Sequence, residues 1–235
     1  MTIMLFRDDA YLAETGGQVI GVTEDGVILD RTVFYPQGGG QPGDTGWLSW
    51  GGNEVVVSNA IKGEGDRIVL QIEGEKPTVG QDITQQLDWD RRLAHMRVHT
   101  GLHLLSVVIP LAVTGGAITA VKGRLDFNMP DPLENKDALE QQLNDLIARD
   151  LPVTESWITD AELEANPGLV KTMSVQPPKG AGHVRLIRIG VGAAQVDLQP
   201  CGGTHVASTG EIGRVTLGKV EKKGAQNRRV NMLLA

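Results

Sequence analysis

The chain has 235 residues, 40% of them apolar, which suffices for one large or two modest globular domains. It contains no run of about 18 apolar residues and no signal-peptide pattern at its start, so we expect a cytoplasmic protein that is not embedded in a membrane. The single cysteine excludes an internal disulfide, and the net charge of −7 argues against a broad nucleic-acid-binding surface.

Residues 18–87 are rich in short β-prone runs. The runs at 27–35, 54–61, 67–73 and 82–87 predict strands, and glycine-containing turn sequences separate them. Several short strands with glycine-rich turns are typical of a small barrel. The pattern therefore predicts an N-terminal β-barrel domain over residues 1–87.

The remaining residues, 88–235, mix helical and strand patterns. Asp88 and Asp90 favour the start of a helix that continues to the break at Pro110, and Asp131-Pro132 opens a second helix with a leucine stripe. Strands are predicted at 153–158, 183–189, 195–198 and 213–220, with a short helix at 160–164. Helices beside a largely antiparallel sheet make an α+β domain, which we place after a boundary near residue 88.

Two pairs of side chains have the spacing of metal ligands. His99 and His103 lie four residues apart on the first predicted helix, about 40° apart around its axis, so both imidazoles reach one point. Cys201 and His205 have the same spacing, and the glycines between them let the backbone turn tightly. Three nitrogens and one sulfur suit Zn²⁺, so we predict one zinc ion on these four residues. Taken singly, each would be an ordinary helix histidine or a small buried cysteine.

His95 is an alternative ligand, because it lies one helical turn before His99 on the same face. Three histidines at successive turns place the outer two roughly 12 Å apart along the axis. That separation is too great for one ion, whose distance to a histidine nitrogen is about 2.0–2.1 Å. We therefore interpret His95 as a surface or substrate-facing residue, with ligation as the alternative.

The two ligand motifs resemble a known family. His99-Thr-Gly-Leu-His103 and Cys201-Gly-Gly-Thr-His205 are similar to the editing domain of alanyl-tRNA synthetase and, more distantly, to that of threonyl-tRNA synthetase. The run at 30–41, which contains Gly38-Gly39-Gly40, resembles the glycine-rich element of the synthetase and of the free-standing AlaX editing proteins, here the medium-sized class. One departure is Leu102, where the synthetase often has threonine.

The resemblance implies a zinc-dependent deacylase that acts in trans on mischarged Ser-tRNA(Ala), and some members of the family also act on Gly-tRNA(Ala). The alternative is a non-catalytic tRNA-binding module, since four ligands also suit a structural zinc site. No ATP site is expected, because Gly38-Gly39-Gly40 matches neither a Walker loop nor a dinucleotide fingerprint. The oligomeric state is left open.

The resemblance also assigns Thr32 to sensing the serine hydroxyl. A buried polar group left unpaired by alanine can discriminate strongly between the two amino acids. Gly39 and Gly40 are predicted to bring backbone N–H groups close to the substrate, with a flexible hairpin loop as the alternative. Gln41 and Asp197 are candidates for orienting the attacking water, with turn or cap duty as the alternative. We expect the barrel to close over the zinc site.

Basic residues near the C-terminus are the expected contacts to tRNA phosphates. They are Lys222, Lys223, Arg228 and Arg229, and the alternative is a solvated basic turn. Arg91, Arg92 and Arg97 form a second basic patch beside the first histidine pair. A few such contacts suffice at an acceptor end, and the acidic remainder of the chain would limit non-specific RNA binding.

Overall fold

The computed structural model describes residues 1–173 and 182–235. Within these ranges the chain divides into two units, Met1–His95 and Met96–Ala235. Helix α1 (Trp89–Val108) begins in the first unit and continues into the second. The boundary predicted near residue 88 lies at the start of this helix, and the division into domains 1–87 and 88–235 stays a prediction.

The first unit consists mainly of β-strands. They are β1 (Ile3–Met4), β2 (Glu14–Val22), β3 (Val27–Leu29), β4 (Arg31–Thr32), β5 (Gly46–Trp50), β6 (Asn53–Lys62), β7 (Ile68–Ile72) and β8 (Asp82–Leu87). Six of them close into a barrel in the order β2-β3-β7-β6-β5-β8, and each neighbouring pair is antiparallel. Along β8, buried Ile83, Gln85 and Leu87 alternate with exposed residues, which is the period of a half-buried strand. The predicted N-terminal barrel is confirmed.

A buried ion pair ties the first turn of α1 to the loop before β5. The guanidinium of Arg92 is fully buried and donates to both carboxylate oxygens of Asp44 and to the carbonyls of Val33 and Ala10. Asp44 also accepts the N–H of Tyr35 at 2.5 Å. Because the guanidinium of Arg92 is buried and paired with Asp44, it cannot contribute to a surface patch. The predicted basic patch is therefore wrong for this residue.

The second unit has strands and helices in mixed order. They are the C-terminal part of α1, β9 (Val113–Ile118), β10 (Lys122–Asn128), α2 (Lys136–Ala148), β11 (Val153–Thr159), α3 (Asp160–Ala165), β12 (His183–Ile189), β13 (Asp197–Pro200), β14 (Val215–Lys222) and β15 (Asn227–Leu234). The strands form two antiparallel sheets, in the orders β14-β15-β10-β9 and β11-β12-β13. This confirms the predicted α+β class with a mostly antiparallel sheet.

Two glycines let α1 lie close to the four-stranded sheet. A Cβ atom on Gly101 would come within 2.6 Å of the Met232 side chain, and one on Gly123 would come within 2.6 Å of Val98. The side chain of Leu102 is buried beside Gly123, so this position is used for core packing. None of the helices in the described ranges has both the length and the apolar character of a membrane span.

The second helix begins later than the sequence predicts. Asp131-Pro132 does not open it; α2 starts at Lys136, because the side chain of Asn135 caps it by accepting the N–H of Ala138 at 2.9 Å. Leu143 of the predicted leucine stripe is fully buried. The side-chain amide of Asn144 donates to the carbonyl of Val215 and accepts its N–H. These two bonds pair part of the otherwise open edge of β14.

Several strands were not predicted, notably β5, β9, β10 and β15. β9 contains two adjacent glycines, and β15 begins with an asparagine and two arginines, so their intrinsic strand preference is low. The C-terminal basic segment is therefore a β14–β15 hairpin whose strands carry most of the charges, with only a short connection between them.

Candidate metal centre

Four side chains from distant parts of the second unit meet at one point. His99 and His103 lie one turn apart on α1, and their ring centroids are 5.2 Å apart. Strand β13 ends at Pro200, and the segment after it carries Cys201 and His205 back to the same helix. Pairing of β13 with β12 sets the start of that segment, since the N–H of Cys201 also bonds the carbonyl of Arg185 at 3.1 Å.

The donor atoms are close enough to share one ion. One ligand atom from each of the four residues lies within 4.8 Å of the others. Sγ of Cys201 is 3.4 Å from Nε2 of His99 and 3.3 Å from Nε2 of His205. The three histidines are buried. These four residues could therefore hold a metal ion, and they are the four that the spacing of the two motifs indicates.

On His103 and His205, the imidazole nitrogen that faces away from the cluster also has a partner. Nδ1 of His103 lies 3.1 Å from a carboxylate oxygen of Asp197, and Nδ1 of His205 lies 3.1 Å from the hydroxyl of Thr100. Asp197 in turn accepts the ammonium of Lys171 at 2.5 Å. Thr100 and Lys171 were not singled out from the sequence, because nothing local marks them as neighbours of a ligand.

Arg185 on β12 holds the segment that carries Cys201. Its guanidinium donates to the carbonyl of Cys201 at 3.2 Å and to that of Gly203 at 2.8 Å, and it forms an ion pair with Glu155 at 2.5 Å. The N–H of Gly203 donates to Sγ of Cys201 at 3.4 Å. Together these bonds hold the turn between Cys201 and His205 in place.

Burial and neighbouring charges set the protonation of the cluster. Burial lowers the pKa of His103, but its bonds to Asp197 and Cys201 outweigh that effect and raise the pKa to about 9. Burial and the nearby His99 lower the pKa of His205 to about 3. The imidazoles of His99 and His205 overcome burial and hold the pKa of the Cys201 thiol well below its usual range. A lowered pKa favours the thiolate, which is the form that binds metals.

Family models match both parts of the chain. Residues 2–91 match the model described as tRNA synthetases class II (A), and residues 184–231 match the threonyl and alanyl tRNA synthetase second additional domain. The second match includes Cys201 and His205. An alanine–tRNA ligase of Pyrobaculum calidifontis is 36% identical over 228 residues, which are 93% of this chain and 25% of the ligase. The chain thus spans about a quarter of the length of such ligases.

Two free-standing relatives match over nearly their whole length. The alanyl-tRNA editing protein AlaX-M of Saccharolobus solfataricus is 34% identical over 98% of both chains. That of Methanosarcina barkeri is 37% identical over 100% of this chain and 99% of its own. The chain belongs to the AlaX-M family. This membership confirms the resemblance that the two ligand motifs indicate.

Other predicted site residues of this AlaX-M member lie in the first unit. Thr32 is buried on β4, where its hydroxyl donates to Oε1 of Gln85 at 2.8 Å and accepts the N–H of Phe34 at 3.1 Å. Gly39 and Gly40 have φ angles of 57° and 85° in a turn that the backbone of Gly38 and Gln41 closes with two hydrogen bonds. A left-handed conformation at two successive residues explains the need for glycine there. Their contact with substrate stays a prediction.

His95 is not a surface residue, and that part of its interpretation is wrong. Its side chain is 1% exposed, and it is not one of the four clustered residues. Burial, followed by the charge of Arg91, lowers the pKa of His95 to about 4, so its imidazole is neutral near pH 7. Among the described residues its Nδ1 has no hydrogen-bond partner.

Proposed function

We propose that this protein is a trans-acting deacylase that removes serine from mischarged Ser-tRNA(Ala), with Gly-tRNA(Ala) as a further substrate. The observation that carries the proposal is the convergence of His99, His103, Cys201 and His205 in a member of the AlaX-M family. Relatives of this family are named alanyl-tRNA editing proteins, and the translation step that they serve supports a cytoplasmic location. The partner is tRNA(Ala) carrying the wrong amino acid.

We propose zinc as the metal, because the donor set fits it. Three imidazole nitrogens and one thiolate suit this borderline-soft ion. In a tetrahedral zinc site the sulfur and a nitrogen ligand are about 3.5 Å apart, given Zn–S and Zn–N distances of about 2.3 and 2.0–2.1 Å. The separations of 3.3 and 3.4 Å from Sγ of Cys201 agree with that geometry. When bound, zinc supplies a Lewis acid that can polarise the ester carbonyl.

Protein residues supply selectivity in this proposal. The pocket that admits serine must leave Ala-tRNA(Ala) intact, although alanine is smaller, so exclusion by size cannot work. Thr32 offers a buried hydroxyl whose remaining lone pair can accept a hydrogen bond from serine, since its proton already goes to Gln85. Gly39 and Gly40 offer backbone N–H groups without a side chain over them, and Gln41 is the candidate for orienting the attacking water.

The decisive experiment compares three substrates. Purified protein is incubated with Ser-tRNA(Ala), Gly-tRNA(Ala) and Ala-tRNA(Ala), each labelled in the amino acid, and release of the label is followed. We expect release from the first two and none above background from the third. Tight binding of all three without release would support the alternative, a tRNA-binding module with a structural zinc site, which four protein ligands also suit.

Zinc binding is expected to release about one proton near pH 7. The pKa of His103 is about 9 without a metal, so its imidazolium must lose a proton before the ring can coordinate. The apparent zinc affinity should therefore rise by about tenfold per pH unit below roughly pH 9 and level off above it. Calorimetry in buffers of different ionisation enthalpy measures the released protons, and a value near zero would contradict the expectation.

The β14–β15 hairpin is the proposed contact to tRNA phosphates. Lys222 and Arg228 are directly opposite each other on its two strands. The guanidinium of Arg228 donates to the carbonyls of Pro130 and Asp131 at 2.7 and 2.9 Å, which leaves its positive charge without a carboxylate partner among the described residues. Like charges in this position destabilise a sheet unless an anion lies nearby. Arg229 and Lys223 are paired with Asp126 and Glu221 at 2.8 and 2.7 Å, so we expect a smaller contribution from them.

Replacing both Lys222 and Arg228 with alanine is expected to weaken tRNA binding equally for serine, glycine and alanine forms. Phosphate contacts carry no information about the amino acid. The slope of the logarithm of the affinity against the logarithm of salt concentration should fall in magnitude by about 2, roughly 1 for each lost contact. Arg67→Ala, which removes an exposed arginine of the first unit, serves as the control. An unchanged slope in the double variant would support the solvated-turn alternative.

A further inference from the structure

We propose that Asp197 and Thr100 are positioning residues of the metal centre. Each fixes which nitrogen of a ligand imidazole keeps its hydrogen in the neutral ring that binds the ion, so that Nε2 is the nitrogen left to coordinate. This inference rests on the metal assignment proposed above and is independent of the ester hydrolysis. It gives Asp197 a role through His103 in place of orienting a water molecule.

The carboxylate of Asp197 is surrounded by hydrogen-bond donors and acts only as an acceptor. Its buried carboxylate receives the ammonium of Lys171 at 2.5 Å on one oxygen. The other oxygen receives the amide of Gln199 at 2.8 Å and faces Nδ1 of His103 at 3.1 Å. A lysine ammonium can only donate hydrogen bonds, and its positive charge keeps the carboxylate ionised. Since an ionised carboxylate can only accept, Nδ1 of His103 is the donor. Nε2 is then the nitrogen that remains for the metal.

Gln199 supports the same assignment. The hydroxyl of Ser106 donates to the carbonyl of His103 at 2.7 Å, so its lone pairs are free to accept the amide of Gln199 at 3.4 Å. Nε2 of Gln199 also lies 3.1 Å from Nδ1 of His103. The two hydrogens of this amide go to Ser106 and Asp197, so Gln199 holds the carboxylate and leaves Nδ1 of His103 to donate to it. Asp197, Gln199 and Cys201 alternate along the chain, which places all three side chains on one side of the extended segment.

Thr100 does for His205 what Asp197 does for His103. Its hydroxyl donates to the carbonyl of Met96 at 2.9 Å, which uses its only hydrogen. It therefore accepts both the N–H of Val206 at 3.3 Å and Nδ1 of His205 at 3.1 Å. Nδ1 of His205 carries the hydrogen, and Nε2 lies free at 3.3 Å from Sγ of Cys201.

The replacement Asp197→Asn separates this role from simple packing, because it keeps the shape and changes the hydrogen bonds. The amide oxygen can face either Lys171 or His103, and the amide N–H₂ must face the other. The ammonium cannot accept, so the oxygen turns to Lys171 and the N–H₂ turns to His103. Nδ1 of His103 then becomes an acceptor, its hydrogen moves to Nε2, and the nitrogen that should bind the metal is blocked.

The experiment measures zinc affinity by competition with a chelator, and records the visible spectrum of the cobalt-substituted protein. Asp197→Asn should weaken zinc binding by about 10- to 100-fold and alter the cobalt bands. Adding Lys171→Met should restore part of the lost affinity, because the asparagine oxygen is then free to face His103. A structural role for Asp197 would not predict recovery from a second substitution.

Two sets of variants serve as controls for this experiment. Thr100→Val should weaken zinc binding while Thr100→Ser keeps it, since serine retains the hydroxyl. Asp126→Asn removes another ion-paired carboxylate of the second unit and should leave zinc affinity unchanged. Circular dichroism of each metal-free variant verifies that it is folded.

Normal zinc affinity in Asp197→Asn, or no recovery in the double variant, would overturn the assignment of Asp197. Equal affinities of Thr100→Val and Thr100→Ser would overturn that of Thr100. If the unaltered protein binds no zinc, the metal assignment itself is refuted, and the inference is refuted with it.

Discussion

Cys201→Ala is expected to lose stoichiometric zinc and, with it, the deacylation of Ser-tRNA(Ala). The thiolate contacts all three ligand histidines and supplies the only negative charge among the four donors. A four-ligand zinc site contributes about 10–16 kcal/mol at pH 7. Losing even a quarter of that amount weakens binding by roughly 60- to 700-fold, at about 1.4 kcal/mol for each factor of ten.

His103→Ala should have the same consequence, since it removes another of the four ligands. His183→Ala is the matched control: this histidine is exposed at the start of β12 and should keep full zinc content and activity. Metal analysis after gel filtration gives the number of zinc ions per chain. Full zinc retention in both Cys201→Ala and His103→Ala would refute the assignment of the site.

Thr32→Val is expected to reduce turnover of Ser-tRNA(Ala) while leaving the zinc content unchanged. Valine keeps the shape of threonine and removes the hydroxyl that we propose as the acceptor for serine. The loss should correspond to about 1–3 kcal/mol of transition-state stabilisation, or roughly 5- to 150-fold in kcat/KM. Thr32→Ser, which keeps a hydroxyl, should retain most of the activity.

The structure adds a second effect of Thr32→Val that the experiment must separate. Valine leaves Oε1 of Gln85 and the N–H of Phe34 without the hydroxyl that pairs with both. Unpaired buried groups of this kind cost about 1–3 kcal/mol of stability each. Gly-tRNA(Ala) distinguishes the two effects, because glycine has no hydroxyl to recognise. A fall in serine turnover relative to glycine turnover supports recognition, and an equal fall in both would refute it.

Much of the secondary structure could be predicted because its signals are local. The bounds of β8 and β12 agree with the predicted ones, and helix α1 runs between the acidic start and the break at Pro110. Strands β9 and β15 were missed, because glycines and adjacent arginines do not favour an isolated strand. Both strands pair with β10, and these backbone hydrogen bonds stabilise them although their own residues have a low preference for strands.

The start of α2 shows the same limit at a helix end. Asp131-Pro132 was the predicted start, and Asn135 was not predicted as a cap although asparagine is a favoured N-cap residue. The structure selects Asn135, whose side chain bonds the first turn, and α2 then places Asn144 against the edge of β14. The cap that starts α2 is thus local, and the missed prediction concerns which of two neighbouring polar residues provides it.

By itself, the sequence determined the barrel-plus-α+β class and the four clustered residues. A spacing of four places two donors on one side of a helix turn or a tight loop, whatever the rest of the chain does. Only the tertiary structure decided what surrounds them. Thr100 and His205 are 105 residues apart, and Lys171 and Asp197 are 26 apart. Sheet pairing and the packing of α1 bring these distant segments together. Contacts of this kind cannot be predicted from a local sequence pattern.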